Sequence, residues 1–261
     1  MDVIKIEDIL RKADSIIFDE SLRNSISVKG SADYVTKVDI MVQEYLQSTL
    51  QELYPEIAFM GEEKNNQNVD FTLDTWIIDP IDGTTNLIHD CQFSAISVGL
   101  WSGKEQKIVF GMIYQPFSKD IYYAEAGQGA YLNGNRIHVS KETMFANSLI
   151  AIGTSPYQKE LADDVWAIAK DIFLHCADIR RAGAASLDLA YVACGKLDGF
   201  YEQTLSAWDY AAGMLILKEA GGVITDYLGN EPAGNTKSSI CCCNPNLQKE
   251  MLNIIQRNIK K

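Results

Sequence analysis

The spacing of apolar residues changes its period along this chain. Over Ile4 to Leu22, Ile4, Ile9, Ile16 and Ile17 recur among acids and bases, which predicts one amphipathic helix. A second helix is predicted over Ile40 to Leu53, ending before Pro55. Two short apolar runs follow, Ile57 to Met60 and Trp76 to Ile78, and the latter reads as the end of a buried strand. The second is expected to stop at Pro80, which has no N–H to continue a ladder. From Phe93 to Val139 the period becomes that of β structure, with strands predicted at Ala95 to Trp101, Lys107 to Tyr114 and Ile121 to Ala126. Asn133-Gly134 is a strong hairpin signal. After about residue 145 the two patterns alternate. Strands are predicted at Leu149 to Ile152, Ala177 to Arg180, Gly199 to Glu202, Val223 to Asp226 and Ser239 to Cys243. The intervening helices are Leu161 to Leu174, Ala184 to Cys194, Trp208 to Ala220 and Leu247 to Ile259. An α+β part over 1–145 followed by an α/β part over 146–261 predicts layered α and β structure. No repeat, low-complexity tract or linker interrupts it.

Chemistry concentrates at Trp76 to His89, where the apolar strand runs into Asp79 and Asp82, then Gly83, Thr84 and Thr85. Hard divalent cations such as Mg²⁺ take oxygen ligands, and a few carboxylates plus substrate phosphate usually hold them. Two aspartates three positions apart can both reach one cation. Gly83 admits a close ligand, and a short helix opening at Thr84 would favour an anion. The same residue types also make an ordinary surface turn. Two other segments change the balance. Met60-Gly61-Glu62-Glu63 ends an apolar run in two acids, and Asp209 opens a segment of helix formers reaching Glu219. Asp209 alone would be an N-terminal helix acid, and the two glutamates alone a solvated loop.

Together these segments resemble the inositol monophosphatase family of Mg²⁺-dependent, lithium-sensitive phosphatases. Trp76 to His89 is similar to the family's first signature, Trp208 to Gly222 to its second, and Gly61 to Glu63 to its Gly-Glu-Glu element. Asp33 to Asp39 is similar to its N-terminal element. The resemblance covers nearly the whole chain. It implies one catalytic unit over 1–261 with the family's αβαβα sandwich, the sugar-phosphatase fold shared with fructose-1,6-bisphosphatase. It also implies two to three Mg²⁺ per active site: Glu62, Asp79 and the Ile81 carbonyl for the first, and Asp79, Asp82 and Asp209 for the second. Thr84 would help deprotonate the attacking water, with Asp39 accepting from its hydroxyl and Glu62 close by. Gly83, Thr84 and Thr85 would cradle the phosphate. Glu63, Asp33 and Lys29 match the region of a third, weaker metal, and a solvated-loop role fits them equally well.

For the alcohol side, the resemblance points to Glu202 as acceptor of a ring hydroxyl and to Gly183, Ala184 and Ala185 as the pocket wall. Arg180 or Arg181 would meet a second phosphate, or else pair with surface acids. The expected substrate is inositol 1-phosphate, within the wider class of phosphorylated polyols and sugars. Fructose 1,6-bisphosphate and NADP are the alternatives, and a non-enzymatic, metal-dependent regulatory role is the third reading. Asp90 and Gln92 depart from the family pattern, where Gly and Pro are usual, so the loop after His89 is expected to differ.

Composition narrows the picture further. The 261 residues are 47% apolar, enough for a substantial core. No run approaches the length of a membrane span, and MDVIKIEDIL lacks the basic front of a signal peptide, so a cytoplasmic protein is expected. A formal charge of −12 argues against a nucleic-acid surface, though bound cations can reverse the local sign. The six cysteines show no zinc spacing and are expected to be reduced. None of the three histidines sits in a nucleophile motif. A homodimer is the default assembly.

Overall fold

The computed structural model describes residues 1–30, 33–63, 66 and 69–259, with the side chains of 28–33 outside that description. Lys29 and Asp33 therefore lie outside the described side chains. The N-terminal segment forms α1 (Val3–Lys12), α2 (Asp14–Ile17) and α3 (Glu20–Arg23), not the single helix that its periodicity predicts. The chain bends at buried Ala13, and Asp19 starts α3 afresh by accepting from the amides of Ser21 and Leu22. A hairpin of β1 (Ile26–Gly30) and β2 (Asp33–Thr36) leads into α4 (Lys37–Leu53).

The larger sheet holds β3 (Ala58–Gly61), β4 (Thr75–Asp82), β5 (Ala95–Ser102), β6 (Lys107–Gln115), β7 (Asp120–Glu125), β8 (Ala130–Leu132) and β9 (Asn135–Ile137), in chain order. Only β3 and β4 pair in parallel; the rest is an antiparallel meander. Because side chains alternate across a strand, Trp76 and Ile78 face α1 and α4, while Ile77 faces the opposite layer. Pro80 does not end β4 as its chemistry predicts. The strand continues to Asp82 with its register to β5 shifted between Asp79 and Asp82, a bulge that tolerates the missing N–H. The short helix α5 (Thr84–Ile88) follows.

The second sheet comprises β10 (Leu149–Ile152), β11 (Asp178–Arg180), β12 (Gly199–Leu205), β13 (Val223–Thr225) and β14 (Ser238–Cys243), ordered β11-β10-β12-β14-β13. Its outer face carries Tyr201, Cys241 and Cys243 against α6 (Ala162–His175) and α9 (Gln248–Asn258). Its inner face carries Phe200 and Cys242 against α7 (Ala185–Ala193) and α8 (Ala207–Glu219). These two helices fill the space between the sheets and are apolar almost all round, as a doubly covered layer requires. Gly111 lets α8 approach, since a Cβ there would stand 2.6 Å from the Ala212 carbonyl oxygen. The layers run αβαβα. All six cysteines are free thiols, Cys241 to Cys243 buried and Cys91 exposed.

Candidate active site

The bulge that carries β4 past Pro80 also shapes the site. Asp79 Oδ1 accepts from the Ile81 amide at 2.9 Å, turning the backbone so that Asp82 also points inward. Gly83 then takes φ +85°, a left-handed conformation that a Cβ would strain, and that Cβ would meet the Phe93 carbonyl at 3.0 Å and Ala184 Cβ at 3.1 Å. Thr84 begins α5 with its hydroxyl 2.7 Å from Asp39 Oδ1 and 3.1 Å from the Ile81 carbonyl. Asp39 belongs to a capping box at the start of α4, where its Oδ2 accepts from both the amide and the hydroxyl of Thr36. One carboxylate thus caps a helix and grips Thr84. Burial raises its pKa, while the hydrogen bonds from Thr36 and Thr84 pull the other way.

Four carboxylates from three elements share the same region. Asp79 and Asp82 come from β4, Glu62 follows β3, and Asp209 stands in the first turn of α8. Asp209 Oδ2 accepts from the Ser206 amide at 2.7 Å, the second capping box of the site. Asp82 accepts from the amides of Ala185 at 3.2 Å and Ser186 at 2.7 Å, and from the Ser186 hydroxyl, at the N-terminus of α7. Burial followed by the charges of Glu62, Asp82 and Asp209 pushes Asp79 well above the ordinary carboxylate range. Asp209 is raised by burial, then by Glu62 and Asp82. Burial lifts Asp82 to about 6, against the α7 hydrogen bonds.

Among the described residues, no three His, Cys, Asp or Glu side chains already stand as a complete ligand set. The chemistry of the cluster nevertheless suits a hard divalent cation. The groups are oxygen donors, Asp79 and Asp82 buried and Glu62 and Asp209 half-buried, and mutually repulsive without positive charge between them.

The alcohol side lies across the cavity. Glu202 sits on β12 facing the same way as Phe200, with Oε1 accepting from the Ser155 amide at 2.7 Å. Burial raises it to about 7, with the Ser155 hydrogen bond and the Arg181 charge opposing. Arg181 donates to Thr154 Oγ1 at 3.0 Å. Arg180 instead turns outward to pair with Asp178, so of the two arginines only Arg181 reaches the cavity.

The cavity, about 400 Å³, brings Glu62, Asp79, Ile81, Asp82, Asp209 and Thr84 together. Gly83, Thr85, Gly183, Ala184, Ala185, Glu202 and Arg181 also line it. Asp39 lies behind Thr84, and Glu63 falls outside the lining, its amide donating to Gln43 Oε1 at 2.8 Å. Sequence reasoning missed Ser155, Lys237 and Asp188 on these walls. For Asp188 a signal existed: it is the one acid in the otherwise apolar helix Ala185–Ala193. Ser155 and Lys237 carry none.

Comparison with known proteins identifies the family and the fold. Residues 3–260 match the inositol monophosphatase family. An inositol-1-monophosphatase of Rhizobium meliloti is 37% identical over 93% of this chain and 90% of that protein. The Nus factor SuhB of Escherichia coli is 37% identical over 87% of this chain and 84% of its own length. A structure of staphylococcal IMPase-II bound to inositol monophosphate superposes with a TM-score of 0.80 at 26% identity, covering 97% of this chain and 93% of that one. The αβαβα fold and the carboxylate-lined cavity define a phosphatase-type sandwich. The chain belongs to the inositol monophosphatase family.

Proposed function

We propose that this protein is a Mg²⁺-dependent phosphate monoester hydrolase whose substrate is inositol 1-phosphate. The observation that carries the reading is the meeting of the buried Asp79 and Asp82 and the half-buried Glu62 and Asp209 with the Thr84–Asp39 pair at one cavity wall. Glu62, Asp79 and the Ile81 carbonyl would hold one cation, and Asp79, Asp82 and Asp209 a second. Bound there, such cations activate water and stabilise the leaving oxygen in an in-line displacement.

The chain's own groups do the rest. The Thr84 hydroxyl, committed as donor to Asp39, keeps its lone pairs for a proton of the attacking water. Burial makes Asp39 a stronger base than an exposed carboxylate, which suits it to receive the Thr84 proton in turn. The amides at the start of α5, released by the left-handed turn at Gly83, face the phosphate oxygens. Glu202 accepts from a hydroxyl of the alcohol. The reading takes support from staphylococcal IMPase-II, seen with inositol monophosphate bound. The expected setting is a cytoplasmic homodimer; no helix among the described residues is long and apolar enough to cross a membrane.

Arg181 favours a second reading, because a guanidinium in the cavity suits a substrate with another phosphate, such as fructose 1,6-bisphosphate or NADP. Phosphate release from inositol 1-phosphate, fructose 1,6-bisphosphate and NADP, each with Mg²⁺, tests the choice. Inositol 1-phosphate is expected to give the largest kcat/KM. A preference for either of the others would replace it.

A further inference from the structure

Asp188 has no place in the mechanism above, yet its position is hard to explain structurally. It stands in the first turn of α7, where an acid suits the helix dipole, but between Leu187 and Leu189, both fully buried in the core between the sheets. Asp188 itself is 2% exposed, and its Oδ1 has no hydrogen-bond partner among the described residues. A buried carboxyl oxygen left without a partner is destabilising, and a leucine of similar volume would remove the penalty. Side chains on a helix lean toward its N-terminus, and the N-terminus of α7 is the end that holds Asp82. Asp188 accordingly reaches the cavity wall from beneath. Its electrostatic neighbours are Asp82 on the phosphate side, and Glu202 and Arg181 on the alcohol side.

Helix α7 offers other polar groups to the cavity, but they are already engaged. The amides of Ala185 and Ser186 and the Ser186 hydroxyl are taken by Asp82, and the Asp188 amide by the Ala184 carbonyl. Across the cavity, one Glu202 oxygen is held by Ser155. The Asp188 carboxyl is thus an uncommitted acceptor beside Glu202. What it lacks is a donor, and a ligand hydroxyl entering the cavity beside Glu202 would supply one.

We infer that Asp188 is a specificity-determining residue that, together with Glu202, accepts hydroxyl hydrogens from the alcohol part of the substrate and so selects phosphorylated polyols with neighbouring hydroxyls. This rests on the phosphatase reading and sharpens its substrate class. Two acceptors on one wall are matched by a polyhydroxylated ring; an aryl ester offers them nothing. A site built to bond a hydroxyl rejects analogues that lack it, because the acceptor is then left buried and unmet.

The test uses the full-length protein with Mg²⁺ and three substrates: inositol 1-phosphate, glycerol 2-phosphate and p-nitrophenyl phosphate. Asp188→Leu is expected to raise KM for the polyol phosphate that the wild type prefers by about tenfold, the loss of one hydrogen bond at a buried carboxyl. It should raise KM for the aryl phosphate clearly less than for the polyol phosphate, and leave the melting temperature unchanged or higher. Asp188→Asn, which keeps an acceptor oxygen, should retain most of the polyol preference. Equal losses on polyol and aryl substrates, or no change on either, would overturn the inference. So would a fall in melting temperature that Asp188→Asn shares, since that marks a structural carboxyl. Failure of the wild type to release phosphate from any of the three would instead overturn the phosphatase reading, so the two failures are distinguishable.

Discussion

Asp82 shows how much one residue does here. Its carboxylate takes two amides and a hydroxyl from α7 while pointing at the same space as Asp79 and Asp209. Asp82→Asn keeps the shape but removes the charge, and its NH₂ group would face donors where an acceptor stood. Phosphate release is expected to fall by roughly a thousandfold or more, the scale of losing a key electrostatic group in an active site. Circular dichroism should show an intact fold, and near-normal turnover would remove Asp82 from the metal cage. Glu202→Gln should weaken turnover of inositol 1-phosphate more than that of an aryl phosphate; equal losses would take Glu202 out of the alcohol pocket. The residues legible beforehand were those whose chemistry is written in consecutive positions: Asp79, Asp82, Gly83 and Thr84 in one run, Glu62 and Asp209 in two short ones. Ser155 was not, and Asp188 showed only as a lone acid in an apolar helix, because each becomes a wall residue only through contacts across the fold. Ser155 meets Glu202 47 positions away, and the α7 end that carries Asp188 meets Asp82 more than 100 away.

At the scale of elements, local propensity was right about type and wrong where tertiary structure overrides it. The helices and strands after residue 145 fall where alternation predicts them, because the inner strands carry buried apolar residues and each helix is buried on at least one face. Pro80 misleads because the rule against proline in a strand admits bulges, and the bulge is what turns two aspartates toward one cavity. The helix predicted over Ile4 to Leu22 bends at Ala13 and breaks again where Asp19 caps a new turn, a competition that periodicity does not register. Gly83 ties this level to catalysis. Gly83→Ala must adopt φ +85° and press its Cβ against the Phe93 carbonyl and Ala184, whereas Gly134→Ala meets the strain of φ +79° with nothing within 4 Å. Both should lose stability, Gly134→Ala by about 1 kcal/mol and Gly83→Ala by about 1–3 kcal/mol. Only Gly83→Ala should also lower kcat, because its strain displaces the start of α5. Thermal unfolding and phosphate release on the two variants check this, and equal activity would show that α5 is not held in place by the turn.

For the whole molecule, the αβαβα order follows from two sheets that each need both faces covered, and the site lies where the middle helices meet both of them. That junction concentrates negative charge in a protein already at −12. Burial raises Asp79, Asp209 and Asp188 well above the ordinary range, Asp82 to about 6 and Glu202 to about 7. Carboxyls with raised native pKa values bind more protons in the folded than in the unfolded state between their two pKa values. Stability is therefore fully present below the unfolded value and is lost as pH rises through the folded one. For Glu202, buried and lifted from 4.5 to about 7, the effect is on the order of 3 kcal/mol. Chelator-treated protein should accordingly melt at progressively lower temperature as pH rises from about 5 to about 8. A divalent cation that binds only the folded, ionised cluster reverses the trend, since its binding must displace fewer protons at higher pH. Added Mg²⁺ should thus raise the melting temperature by several degrees near pH 8 and by much less near pH 5, and Asp82→Asn should blunt that difference. A Mg²⁺ shift independent of pH, or one that Asp82→Asn leaves intact, would place the cation away from these carboxylates.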